Sequence, residues 1–197
     1  MRRFDATTQA FSAGTLAGAG SFRCDSCGFA VALHELDQLP SCPHCGCDQF
    51  KRSSLFAEHA PAEPWSGKRP EHPDWLEDAR AGQTTTGDYL AYRDEERIHV
   101  VPLEEGWTRI GRSLAAHVRF DDPTVSRRHA LIHREDEGAR VLDDRSLNGL
   151  FVNGERVEWH QLQDGDELLI GRFRVYFLSL MDAAPRPGRE PAGSVLA

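Results

Sequence analysis

The sequence predicts a mainly β chain, in which an antiparallel β-sandwich of roughly a hundred residues follows a small cysteine-centred module. Three observations predict it. From Gly87 to Leu180, short runs of β-type residues recur between turn signals every eight to twelve positions. No helical period separates those runs, so parallel βαβ units are excluded. All five cysteines lie between residues 24 and 47 of the 197, which confines them to one local site.

The first 20 residues, "MRRFDATTQAFSAGTLAGAG", are rich in Ala, Gly, Ser and Thr and show no sustained apolar period, so they are expected to be disordered. Two arginines open the chain, but Asp5, Thr7, Thr8 and Gln9 occupy the place where an export signal needs an apolar core. No run approaches the roughly 18 apolar residues of a membrane span. The expected location is cytoplasmic, with no membrane partner.

Residues 21 to 52 hold the cysteine module. Cys24 and Cys27 form one pair with two residues between them, and Cys42 and Cys45 form a second pair after fourteen more. Four thiolates so spaced can meet at the corners of a tetrahedron about 2.3 Å from a metal ion. Gly28 and Gly46 follow the two knuckles, where the chain must turn tightly. The module resembles a zinc ribbon, which implies a closed, structural Zn2+ site. Iron bound in a rubredoxin-like way is the alternative. Cys47 is a fifth, odd cysteine, read as a bystander in preference to a redox-active thiol.

The stretch 53–86 turns to Pro, Glu, His and Gly, the composition of a linker. One island within it, "PDWLEDARAG", places a short helix over 73–81. Pro73 and Asp74 start it, acidic Glu77 and Asp78 come early, Arg80 comes late, and Gly82 stops it. Trp75 and Leu76 then dock the helix on a neighbour. Residues 87–181 carry the sandwich, with Asn153-Gly154 and Asp164-Gly165 read as two-residue hairpin turns. Residues 182–197 have the composition of a disordered tail.

Three short motifs fall at the edges of sandwich strands: "RIGRS" at 109–113, "SRRH" at 126–129 and "SLNG" at 146–149. Loops at strand ends gather at one end of a sandwich, so the motifs can converge. Catalysis by a Ser126 nucleophile and a His129 base finds no nucleophile elbow and no oxyanion pocket, and the chain is read as a non-enzyme. A phosphate pocket fits better. Arg112 after Gly111 offers a planar fork for two phosphate oxygens, Ser126 adds a hydroxyl donor, and Arg127 a second cation. Asn148 has both a donor and an acceptor, which suits the main chain of an extended peptide, and Gly149 permits a left-handed turn.

The succession "GRS", "DPTVSRRHALI", "DDRSLNGLFVNG" and "LQDGDELLIGRFRVYFL" resembles the forkhead-associated (FHA) domain over about residues 89–180. The resemblance implies an eleven-stranded sandwich that binds phosphothreonine peptides with the loops at one end, in preference to phosphoserine. It implies that Arg112 and Ser126 hold the phosphate, that Arg127 assists, and that Asn148 holds the peptide backbone. Gly111, His129 and Gly149 would be architectural. Leu147 and Leu150 depart from the family pattern, which often has threonines there; the first loses one possible phosphate contact.

Taken together, the sequence predicts a phosphothreonine-binding adaptor in Ser/Thr kinase signalling, with a phosphorylated protein as partner, a kinase upstream and a zinc ribbon for a second protein contact. The alternative is a phosphorylation-dependent regulator whose ribbon contacts nucleic acid or the transcription or translation machinery. Charge weighs against nucleic acid: the chain carries a formal net charge of −8, and residues 21–52 hold Arg23, Lys51 and Arg52 against Asp25, Glu35, Asp37 and Asp48. Thr84, Thr85 and Thr86, just before the sandwich, form a candidate internal ligand if phosphorylated, with Thr7 and Thr8 as a second.

Overall fold

A computed structural model describes residues 10–53, 72–136 and 138–180. Residues 1–9, which hold Thr7 and Thr8, the linker stretch 54–71 and the expected tail 182–197 lie outside the described residues.

Among the described residues, four strands build the N-terminal ribbon: β1 (Ala10–Ser12), β2 (Gly20–Cys24), β3 (Ala30–Leu33) and β4 (Gln49–Arg52), in the sheet order β1-β4-β2-β3. Strand β1 corrects the expectation of a disordered stretch through residue 20, because Ala10, Phe11 and Ser12 pair with Lys51, Phe50 and Gln49. The physical reason is Phe11. Its ring stands edge-on to Phe22 at 5.2 Å and closes one side of the ribbon core. That core is small: Phe22, Phe29, Val31, Leu33, Leu39 and Phe50 pack around Cys24 and Cys42. An apolar core of this size is small for a domain, and domains this small usually draw added stability from metals, disulfides or docking.

Helix α1 (Trp75–Ala81) starts after Asp74 and ends at Gly82, whose N–H donates to the Asp78 carbonyl at 3.0 Å. It buries Leu76 and Ala79 against Tyr89, Ala91, Tyr176 and Leu178. These four residues alternate with the core residues Leu90, Tyr92, Val175 and Phe177 along β5 (Gly87–Asp94) and β15 (Phe173–Leu180). Side chains of a strand alternate between faces, so both faces of these two strands are covered. This explains why "YLAY" and "VYFL" are unbroken apolar runs where a one-sided strand would alternate.

The remaining strands are β6 (Arg97–Pro102), β7 (Gly106–Gly111), β8 (Val118–Arg119), β9 (Ala130–Glu135), β10 (Gly138–Asp143), β11 (Leu150–Val152), β12 (Glu155–Val157), β13 (Trp159–Gln161) and β14 (Glu167–Ile170). They form a five-stranded sheet, β13-β10-β9-β7-β8, and, with β5 and β15, a six-stranded sheet, β12-β11-β14-β15-β5-β6. Ile110, Ile132 and Val141 of one sheet meet Leu90, Leu168 and Phe177 of the other in a common core. The hairpin at Asn153-Gly154 joins β11 to β12 with φ of 52° and 85°, as a two-residue turn of this type requires. Asp164-Gly165 is different. It lies between β13 and β14, which belong to different sheets, and only Gly165 has a positive φ. It is a corner between sheets, pinned where the Gly165 N–H donates to the Phe177 carbonyl at 2.8 Å.

Candidate functional site

Two loops meet at the end of β7. The chain leaves β7 at Gly111 and runs beside the segment 126–127 that leads into β9. The Arg112 N–H donates to the Ser126 carbonyl at 2.9 Å, and the Ser113 N–H to the Arg127 carbonyl at 3.1 Å. Gly111 allows this approach: a β-carbon there would stand 2.4 Å from the Arg127 oxygen and 2.9 Å from the Ser126 oxygen. Its role is steric room for two backbones, since its φ is not in the left-handed region.

His129 lies beneath the loop and is fully buried. Its Nδ1 accepts the Ser126 N–H at 3.2 Å, and its own N–H donates to the Ile110 carbonyl at 3.0 Å. Burial pushes the imidazole down to about 4 against the opposing pull of Asp143, so the ring is neutral at pH 7. Ser126 Oγ points elsewhere and accepts the Leu147 N–H at 3.0 Å. Ser126 and His129 therefore meet through an amide and do not form a nucleophile and base pair.

A further group, missed in the sequence reading, fixes the loop from below. Asp122 accepts the Thr124 N–H at 2.8 Å and the Thr124 hydroxyl at 2.5 Å, and its other oxygen takes Arg172 Nε at 2.5 Å. Gly171 fits under Thr124, where a β-carbon would meet the threonine hydroxyl at 2.6 Å. The signal was present as an Asp-x-Thr turn at 122–124 and an isolated Gly-Arg at 171–172, but their pairing spans about fifty residues. Arg128, the second arginine of the 126–129 motif, forms a bidentate pair with Asp144 at 2.7 and 2.6 Å and braces the loops at their surface.

Arg112, Ser126 and Arg127 line one cavity of about 540 Å³. Arg112 is almost fully buried and Arg127 exposed, with burial and the neighbouring Arg127 charge lowering the Arg112 pKa while Asp37 acts against them. Two guanidiniums and a hydroxyl around one space have the donor chemistry to hold an anion. Asn148 follows Leu147, which lines the cavity, and precedes Gly149 with φ of 90°. Thr84, Thr85 and Thr86 are not among the cavity's walls, and the Thr85 hydroxyl pairs with the Tyr89 hydroxyl at 2.5 Å.

The other wall of the cavity is the ribbon. Gly20, Ser21, Ala32, Leu33 and His34 face the arginines across it. The Asn148 side chain accepts the Ala30 N–H at 2.7 Å and donates to the Ala30 carbonyl at 2.8 Å. Arg112 Nη1 donates to the Ala32 carbonyl at 2.7 Å, and the Ala32 N–H donates to the Pro123 carbonyl at 2.9 Å. Asp37 brings a carboxylate to within 3.7 Å of Arg112 Nη1.

Within the ribbon, the sulfurs of Cys24, Cys27, Cys42 and Cys45 lie within 4.8 Å of one another, with Cys24 to Cys45 at 3.6 Å and Cys27 to Cys42 at 3.5 Å. A tetrahedron with metal–sulfur bonds of about 2.3 Å has sulfur–sulfur edges of about 3.8 Å, so the four fit a zinc ion. Gly28 and Gly46 follow with φ of 74° and 72°, as the knuckle turns need. Cys47 lies outside the four, with its sulfur accepting the Gln49 N–H at 3.4 Å.

Comparison with known proteins matches residues 108–171 to the FHA domain family and residues 2–54 to a zinc-ribbon containing domain. The chain carries an FHA domain with an N-terminal zinc-ribbon-containing domain. FHA domains bind phosphothreonine peptides of partner proteins. The glycogen accumulation regulator GarA of Mycobacterium tuberculosis is 41% identical over 88 residues, which cover 45% of this chain and 52% of GarA. The oxoglutarate dehydrogenase inhibitor of Corynebacterium diphtheriae is 43% identical over 76 residues, 39% of this chain and 53% of that protein. The chain thus spans about half the length of these relatives. A solved FHA domain structure, from work on phosphothreonine-dependent interactions, is 35% identical; it covers 47% of this chain and 96% of its own, with a TM-score of 0.44. Among the described residues, no helix is long and apolar enough to cross a membrane.

Proposed function

We propose that the chain is a non-enzymatic adaptor that docks a phosphothreonine-containing partner on its FHA domain, downstream of a Ser/Thr kinase. The observation that carries this reading is the convergence of Arg112, Ser126 and Arg127 on one cavity, with Asn148, next to the lining residue Leu147, gripping an extended backbone at Ala30. A phosphate has close to two negative charges at pH 7 and three acceptor oxygens. Arg112 would supply a preoriented fork whose loop is held by Gly111, His129 and the Asp122–Thr124–Arg172 group. Ser126 would add a hydroxyl, and Arg127 would attract and then screen the phosphate. Asn148 would take the backbone of an extended peptide, a grip its amide already makes on Ala30.

The relatives' names, a regulator and an inhibitor, support a protein that acts by docking. Cys24, Cys27, Cys42 and Cys45 would hold a structural zinc ion, which supplies rigidity, since four thiolates leave no open coordination position. The ribbon's contribution is a protein contact, in line with its scarcity of cations. Screening the full chain against peptide libraries carrying phosphothreonine, phosphoserine or the bare hydroxyl tests the reading. Selection of phosphothreonine peptides is expected, and equal recovery of unphosphorylated peptides would overturn it.

A further inference from the structure

Strand β3 is the edge of the ribbon sheet, and an exposed edge presents alternate backbone groups with no partner. Its inner residues, Val31 and Leu33, pair with β2 opposite Phe22 and Gly20. Ala30 and Ala32 turn their N–H and C=O outward. All four of these outward groups are satisfied, and every partner lies on the FHA loops: Asn148 takes both groups of Ala30, Arg112 takes the Ala32 carbonyl, and the Pro123 carbonyl takes the Ala32 N–H. Residues proposed to read a phosphopeptide are thus engaged by an extended strand of the same chain. Asp37, just beyond that strand, sets a carboxylate 3.7 Å from Arg112 Nη1.

We infer that the ribbon is an internal competitive ligand of the FHA domain: β3 occupies the peptide track, with Asp37 as a weak substitute for the phosphate. This inference rests on the phosphothreonine reading above and assigns its regulation. The charges make the competition selective. A carboxylate has one negative charge and meets Arg112 at a distance beyond a hydrogen bond, whereas a phosphate has nearly two and can take Arg112 directly. An unphosphorylated segment therefore gains too little to displace β3. The cavity of about 540 Å³ left beside the docked strand offers Ser126 and Arg127 to an incoming phosphate before the backbone grip is broken. The phosphate enters first and then draws Arg112 and Asn148 from the ribbon.

The test uses the full chain and an Ala32→Pro variant. Proline is tolerated on an edge strand when its nitrogen faces away from the sheet, and here that nitrogen faces Pro123, so the β2–β3 ladder keeps its bonds while docking is lost. A fluorescent pool of phosphothreonine peptides with randomised flanks is titrated into both chains. Amide hydrogen exchange at Ala30 and Ala32 is followed in wild type with and without the pool. If the docked form makes up nine-tenths or more of the wild-type population, Ala32→Pro binds about tenfold or more tightly. Peptide addition is expected to release the protection of the Ala30 and Ala32 amides. An Asp37→Lys variant, which repels Arg112, is expected to show the same gain without a proline. Equal affinity in all three chains, or binding with the Ala30 and Ala32 amides still protected, overturns the competition and leaves the phosphothreonine reading standing. Failure of all three to bind the phosphorylated pool removes that reading, and the competition falls with it.

Discussion

Gly111→Ala tests how tightly the geometry of the site is tied to backbone packing. The new methyl group would sit 2.4 Å from the Arg127 carbonyl oxygen and 2.9 Å from both the Arg127 carbonyl carbon and the Ser126 oxygen. An ordinary carbon–oxygen contact needs about 3.2 Å, so the two backbones must part by roughly 0.8 Å. The bonds across that seam, Arg112 N–H to Ser126 at 2.9 Å and Ser113 N–H to Arg127 at 3.1 Å, would stretch beyond useful length. Two lost hydrogen bonds at about 1 kcal/mol each, plus residual overpacking, give a destabilisation of about 2–4 kcal/mol. Urea unfolding is followed through Trp107, whose indole on β7 stacks on His133 at 4.2 Å. A variant within about 0.5 kcal/mol of wild type would refute the steric account of Gly111, since that is the scale of neutral surface changes.

The buried His129 predicts a pH dependence. Its ordinary value of 6.5 falls to about 4 in the folded chain, so the unfolded chain takes up the proton first; the contribution is complete above about pH 6.5 and is lost as pH falls toward 4. The loss amounts to about 3 kcal/mol over that window, and a His129→Gln chain, compared by urea unfolding at stepped pH, should decline less steeply. Leu76→Ala should cost about 2–4 kcal/mol by opening the contact of α1 with Tyr89 and Tyr176, while phosphopeptide affinity, measured by calorimetry, stays unchanged. Removing metal with a strong chelator should expose the β2 and β3 amides to exchange while β5 and β15 stay protected, because only the ribbon depends on the cysteine site. Ribbon amides that remain protected after chelation would contradict that dependence.

Much of the sandwich was legible because its strands obey local rules. β6 and β9 carry apolar-rich runs, "IHVVPL" and "HALIH", of the β type that recurs from Gly87 to Leu180, and Asn153-Gly154 made the hairpin it encodes. The cysteine spacing likewise carried its tetrahedron openly. Asp164-Gly165 misled because the same dipeptide chemistry serves a corner between sheets, and nothing local tells a corner from a hairpin. Strand β1 was hidden since one phenylalanine, Phe11, anchors it to β4 across about forty residues. The site residues were readable as chemical types, but the ribbon's place against them was not. "FAVAL" reads as one more apolar run, and its outward backbone groups have no side-chain signature to show which loops they meet.

The measurement closest to the central claim is a calorimetric titration, in the Ala32→Pro background where the ribbon does not compete, of chains with and without Arg112→Ala, using one phosphothreonine peptide. A charged hydrogen bond contributes about 1.5–3 kcal/mol, so the variant is expected to bind at least about tenfold more weakly, with the unphosphorylated peptide binding neither chain. Unchanged affinity in Arg112→Ala would contradict the assignment of the phosphate site.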